Sequence, residues 1–95
     1  MNKNYSIADL RYLMSRLRDP NTGCPWDIKQ TYQSIASHSI EEVYEVVDAI
    51  ERGDIEHLSE ELGDLLFQII FYSQLGEEDG QFDFDLVVSK ITSKL

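Results

Sequence analysis

Apolar residues recur every three or four positions along nearly the whole chain, and no stretch shows the two-residue alternation of a half-buried strand. Ile7, Leu10, Leu13, Met14 and Leu17 predict a first helix from about Ser6 to Arg18, with Ser6 as its N-cap. "DPNTGCPWD" then places two prolines and a glycine within a few residues, which predicts a loop. A second helix is expected from about Tyr32 to Glu51, stopping at Gly53. Asp54 can cap a third that runs to about Glu78, with an apolar stripe of Ile55, Leu58, Leu62, Leu65, Leu66, Ile69 and Tyr72. Asp83 can cap a last helix carrying Leu86, Val87, Ile91 and Leu95. The pattern predicts an all-α chain of four helices and one domain over residues 1–95. Its second and third helices should form a central antiparallel hairpin.

Several acids of that hairpin break the usual division between wet and packed faces. At about 100° per residue, Glu42 and Glu45 share a face with His38, Val46 and Ala49, whereas Glu41 and Asp48 lie toward its edge. On the next helix Glu61 and Asp64 are three apart and hence neighbours, beside Gln68, Leu75, Leu65 and Tyr72. Two helices of one hairpin each offer a pair of carboxylates within or beside the packing surface.

Composition turns that oddity into a chemical question. Eighteen acids against eight bases give a net charge of −10, which disfavours nucleic-acid polymers and anionic membranes as partners. Between Gln30 and Ser89 the only base is Arg52, so the inward acids have almost no cation to pair with. Ionised carboxylates brought together out of water lose several kcal/mol of hydration each and raise one another's pKa. A divalent metal is the compensation this shortage favours. Oxygen-only ligation suits hard cations, Mg²⁺ foremost, with Mn²⁺ a substitute. Glu45 and Glu61 are followed three residues later by Asp48 and Asp64 rather than by histidine, which argues against a di-iron bundle. His57 is expected to face away from the acids.

"EEVYE" (41–45) followed by "ELGD" (61–64) resembles the acidic pattern of the all-α nucleoside triphosphate pyrophosphohydrolases. "RLRDPNTGCPWDIKQT" (16–31), "EEVYEVVDAI" (41–50), "EELGDLLFQIIFYSQL" (60–75) and "GQFDFDLVVSKITSKL" (80–95) resemble the MazG family nearly end to end. The resemblance implies Mg²⁺-dependent hydrolysis of (deoxy)nucleoside triphosphates to monophosphate and pyrophosphate, in the service of clearing altered or surplus nucleotides. By position it implies Glu42, Glu45, Glu61 and Asp64 as metal ligands, with Glu41 as a supporting acid or base for water. It also implies a homodimer or homotetramer whose bundle is completed by a second subunit. Longer MazG proteins carry two such domains and often continue beyond the position of Leu95 with a basic segment, so this chain is expected to be either a short, single-domain version or a trimmed one that lacks part of the phosphate-binding wall.

Further contacts follow from position. Trp26 is a candidate to stack on the base; Lys29 and Gln30 are candidates for phosphate or sugar, and Lys90 and Lys94 for the triphosphate. His38 and Cys24 are expected to pack rather than to ligate or react. One cysteine excludes an intramolecular disulfide, and the N-terminal stretch lacks the apolar run of a signal peptide or membrane span, so a cytoplasmic protein is expected. The final "SKL" is read as the end of a helix rather than as a peroxisomal address. The alternative function is a non-catalytic helical module that binds nucleotide or a partner protein.

Overall fold

A computed structural model describes residues 4–95. The helices are α1 (Ile7–Leu17), α2 (Pro25–Ile28), α3 (Tyr32–Arg52), α4 (Ile55–Glu78) and α5 (Phe84–Lys94), with no strand among the described residues. The count is five rather than the expected four because one turn of helix forms inside the proline-containing loop. Pro25 occupies its first turn, where a fixed φ and a missing N–H cost nothing. Four residues are too few to show a 3.6-residue period, so hydrophobic spacing could not reveal it.

The long helices begin and end where local chemistry requires. Ser6 accepts from the Asp9 N–H at 3.3 Å while the Asp9 carboxylate accepts from the Ser6 N–H at 2.8 Å, a reciprocal box that starts α1. Thr31 and Ser34 form the same arrangement at the start of α3. Asp54 and Asp83 accept from the N–H groups of His57 and Leu86, at 3.0 and 2.9 Å, and so cap α4 and α5. Gly53 ends α3 at φ 69°, in the left-handed region where a side chain would be strained.

With only Gly53 and Asp54 between them, α3 and α4 fold back on each other. Tyr32 Oη donates to Asp79 at 3.0 Å, Ser39 bonds Tyr72 at 2.7 Å, and the Gln68 amide donates to the His38 carbonyl at 3.3 Å. Tyr32, at the start of α3, meets the residue that ends α4, while His38 and Ser39 meet residues 68 and 72 further back along it, which makes the pair antiparallel. Helix α1 lies against α4, and α5 touches α4 as well. Gly76 permits the chain to turn into α5, since a Cβ there would stand 2.6 Å from the Phe82 ring.

The core is Met14, Ile35, Ile70, Phe71 and Leu75, with Leu10, Tyr32, Phe67, Tyr72 and Phe84 packed around it. Burying each of the larger side chains contributes about 1.5–3 kcal/mol. This core does not coincide with the apolar stripe anticipated on the third helix. Ile55, Leu62, Leu66 and Ile69 stay exposed, while Ile70, Phe71 and Leu75 turn inward. The helix is apolar on two sides, and α1 and α3 cover only one of them. Helix α5 contains no buried residue. Among the described residues no helix is long and apolar enough to cross a membrane.

Candidate active site

Three carboxylates meet where the hairpin crosses: Glu42 from α3, and Glu61 and Asp64 from α4. One oxygen from each lies within 4.8 Å of the others. Antiparallel packing brings the two helices together here, and the i, i+3 spacing puts both α4 acids on the side facing Glu42. Glu61 is buried, Glu42 half-buried and Asp64 exposed, so the cluster grades from the helix interface out to solvent.

The electrostatics are those of an unneutralised acidic centre. Burial, a hydrogen bond with Glu61 and the charges of Glu61, Asp64 and Glu45 push the Glu42 carboxyl up to about 7. Burial and Glu61 likewise raise Asp64. Glu42 Oε2 is sealed from solvent without a hydrogen-bond partner, as is Gln68 Oε1 one turn beyond Asp64. Arg52, the one base in this part of the sequence, pairs instead with Asp48 and Asp54 at 2.9 and 3.2 Å. A hard divalent cation fits the donor set: oxygens only, converging from two helices, with an orphaned carboxylate oxygen among them.

Beside the cluster lies an open cavity of about 430 Å³, lined by Trp26, Ile35, His38, Glu42, Asp64, Phe67, Gln68 and Phe71. One end is carboxylate and the rest is largely aromatic. Trp26 is half-exposed, and its ring meets His38 edge-on with centroids 5.8 Å apart. A site of this kind takes a ligand with a cation-binding end and a flat apolar end.

The other residues singled out from the sequence are placed as follows. Glu45 is exposed and outside the three-carboxylate group, yet close enough for its charge to act on Glu42. Glu41 is exposed. The Gln30 amide is engaged within the loop, its Nε2 donating to the Trp26 carbonyl at 2.9 Å and its Oε1 accepting from Ser34 at 2.7 Å. Lys29, Lys90 and Lys94 are exposed and line no part of this cavity. Cys24 is half-buried at the N-cap of α2. His57 departs from expectation. Rather than facing away, its Nε2 stands 3.5 Å from Glu61 Oε2 and its Nδ1 3.6 Å from Asp54 Oδ2. Its position four residues before Glu61 was the available signal, since i and i+4 are neighbours on a helix.

An all-helical chain with such a centre belongs to a recognised class. The profile of the MazG nucleotide pyrophosphohydrolase domain matches residues 30–95, and the chain belongs to that family. It is 54% identical over 89 residues to the nucleoside triphosphate pyrophosphohydrolase of Escherichia coli (strain K12), covering 94% of this chain and 34% of that protein. It is 40% identical over 89 residues to the nucleoside triphosphate pyrophosphohydrolase/pyrophosphatase MazG of Thermotoga maritima, covering 94% of this chain and again 34% of the relative. With the uncharacterized protein YabN of Bacillus subtilis (strain 168) it shares 44% over 91 residues, covering 96% of this chain and 18% of that protein. The chain thus spans about a third or less of the length of these relatives.

Proposed function

We propose that this chain is a single MazG-like domain, residues 1–95, which hydrolyses (deoxy)nucleoside triphosphates to the monophosphate and pyrophosphate with Mg²⁺ or Mn²⁺. The observation that carries the reading is the convergence of Glu42, Glu61 and Asp64 beside a cavity with aromatic walls. The activities for which the E. coli and T. maritima relatives are named support it. Glu42, Glu61 and Asp64 would hold the cation, with Glu45 adding its charge at the edge. When bound, the cation neutralises charge on the phosphate oxygens and lowers the pKa of water.

The chain's own residues do the remainder. Trp26, half-exposed, and Phe67, partly buried, line the cavity and offer flat apolar surface to a nucleobase. Glu41, outside the three-carboxylate group, is the proposed acceptor of the proton from attacking water. Lys90 and Lys94 are proposed triphosphate contacts in the assembled protein, and Lys29 a contact at the loop. Gln30 acts chiefly by bracing the turn that carries Trp26.

A homodimer or homotetramer is part of the same proposal. Nineteen large hydrophobic side chains are exposed among the described residues against six hydrophobic residues buried, far more than a lone chain can cover. A second subunit over α4 and α5 would complete the bundle. Removal of altered or surplus nucleotides in the cytoplasm is the proposed role.

Product analysis decides the activity. The purified chain with Mg²⁺, offered a panel of standard and altered nucleoside triphosphates, should release pyrophosphate and monophosphate in equal amounts. Release of orthophosphate alone, or of nothing from any member, overturns the reading. Nucleotide-dependent thermal stabilisation without turnover would identify a binding module instead.

A further inference from the structure

Among the described residues Arg18, at the end of α1, is the most heavily engaged side chain outside the acidic centre, and only 11% of it is exposed. Its Nη1 donates to the backbone carbonyls of Asp27, Ile28 and Gln30 at 2.7, 2.9 and 3.3 Å. Its Nε and Nη2 donate to the two carboxylate oxygens of Glu78, the last residue of α4. The guanidinium also lies over the Phe71 ring, 5.8 Å from its centroid. One planar group therefore ties the ends of α1, α2 and α4 together, and it rests on a wall of the cavity.

The contact with α2 has a definite consequence. Four residues cannot sustain a helix alone, because nucleation fixes several dihedrals for a single bond. The Asp27 carbonyl accepts from the Lys29 and Gln30 N–H groups, and the cationic fork adds a charged donor to it and to the Ile28 and Gln30 carbonyls. The side chain this turn displays is Trp26, which borders the cavity and touches His38. Gln30 links the Trp26 carbonyl to Ser34 on α3, but no other charged group is bonded to the end of the turn among the described residues.

We infer that Arg18 is a positioning residue: it caps the Pro25–Ile28 turn, anchors it to Glu78, and so holds Trp26 at the mouth of the acidic cavity. The consequence for ligand binding rests on the reading of that cavity as a nucleotide site. Arg18 is bonded to none of Glu42, Glu61 and Asp64, so its loss should separate base binding from metal binding.

Trp26 is the sole tryptophan, which makes its fluorescence a direct reporter. Arg18→Met keeps the bulk of the side chain and removes the fork. In the metal- and nucleotide-free chain it should lower Trp26 anisotropy and increase quenching by iodide, with the far-ultraviolet dichroism retained. Affinity for Mn²⁺ alone, read by its paramagnetic resonance signal, should stay within about twofold, because no ligand has changed. Affinity for the four α,β-imido deoxynucleoside triphosphates with Mg²⁺ should fall about tenfold or more, as base–aromatic stacking is worth about 1–3 kcal/mol. During turnover KM should rise by a similar factor with kcat little changed. Arg18→Lys keeps the charge without the fork and should restore the metal-free anisotropy only in part. Glu78→Gln, which keeps the carbonyl contacts, should give an intermediate anisotropy and covers the case in which Arg18→Met fails to fold. Unchanged Trp26 anisotropy in every folded variant overturns the inference, as does an equal loss of Mn²⁺ and nucleotide affinity. Anisotropy that falls in a protein whose wild type binds none of the four analogues upholds the clamp and rejects the nucleotide reading instead.

Discussion

Glu42 concentrates the chemistry of the chain in one side chain. Its carboxyl is raised to about 7 by burial and by Glu61, against an ordinary value of 4.5. The folded chain therefore keeps this proton up to about pH 7, while the unfolded chain gives it up near pH 4.5. Between those values the unfolded state binds fewer protons, so metal-free stability falls as pH rises. Asp64, also raised, acts with the same sign. Asp19, Asp54 and Glu78 are lowered and act with the opposite sign, but in the more acidic range below their ordinary values. Thermal melts in chelator should show a falling midpoint between pH 5 and 7.5, flattened in Glu42→Gln and reversed at pH 7.5 by Mg²⁺. A midpoint that climbs across that window in chelator would contradict the assignment. Glu42→Gln and Asp64→Asn should each reduce pyrophosphate release by at least about 100-fold, because each would remove a proposed charged ligand from a three-carboxylate set. At this scale the sequence disclosed much: an acid three residues from another on an otherwise apolar face has few structural uses. It did not disclose which of Glu42 and Glu45 stands deepest, since the wheel places both on one face and only the depth of packing on α4 separates them. His57 reaches Glu61 rather than facing away because residues four apart are neighbours on a helix.

Helix ends were readable because they are decided locally, by one side chain and the next three N–H groups. Ser6, Gly53, Asp54 and Asp83 each stand where the chain stops or starts a helix. Turn α2 was not readable, since it is held by Arg18 from another element and by Gln30 and Ser34 through side-chain bonds. Two glycines of α4 test the difference between local and tertiary control. Gly63 has open space where a Cβ would go and a helical backbone, so Gly63→Ala should stabilise by about 0.4–1 kcal/mol through the unfolded chain. Gly76 meets the Phe82 ring, and Gly76→Ala should destabilise by about 1–3 kcal/mol. Urea midpoints of the two variants should therefore move in opposite directions. Parallel shifts would show that the turn before α5 does not pack as described.

Across the whole molecule the largest unspent feature is apolar surface. Tyr12 and Leu13 on α1, Leu62, Leu66 and Ile69 on α4, and Leu86 and Ile91 on α5 are all left open. Sedimentation equilibrium should give a mass of at least twice 11.0 kDa, and the melting temperature should rise with protein concentration. Leu66→Glu should shift the mass toward the single chain while leaving the helix content in place. A wild-type mass that stays at one chain would defeat the proposed assembly.

Periodicity, caps and charge were enough to determine that the chain is helical, where four of its helices lie, and that two acidic pairs belong to one hairpin. These are properties of neighbours in sequence, and a helix makes neighbours of residues three and four apart. What needed the tertiary structure was the choice among faces. It turned Phe71 rather than Leu66 into the core and set Glu42 against Glu61 and Asp64. It also carried Arg18 to the carbonyls of a turn ten residues away. Such pairings depend on how deeply one helix seats against another, a quantity that no single helix contains.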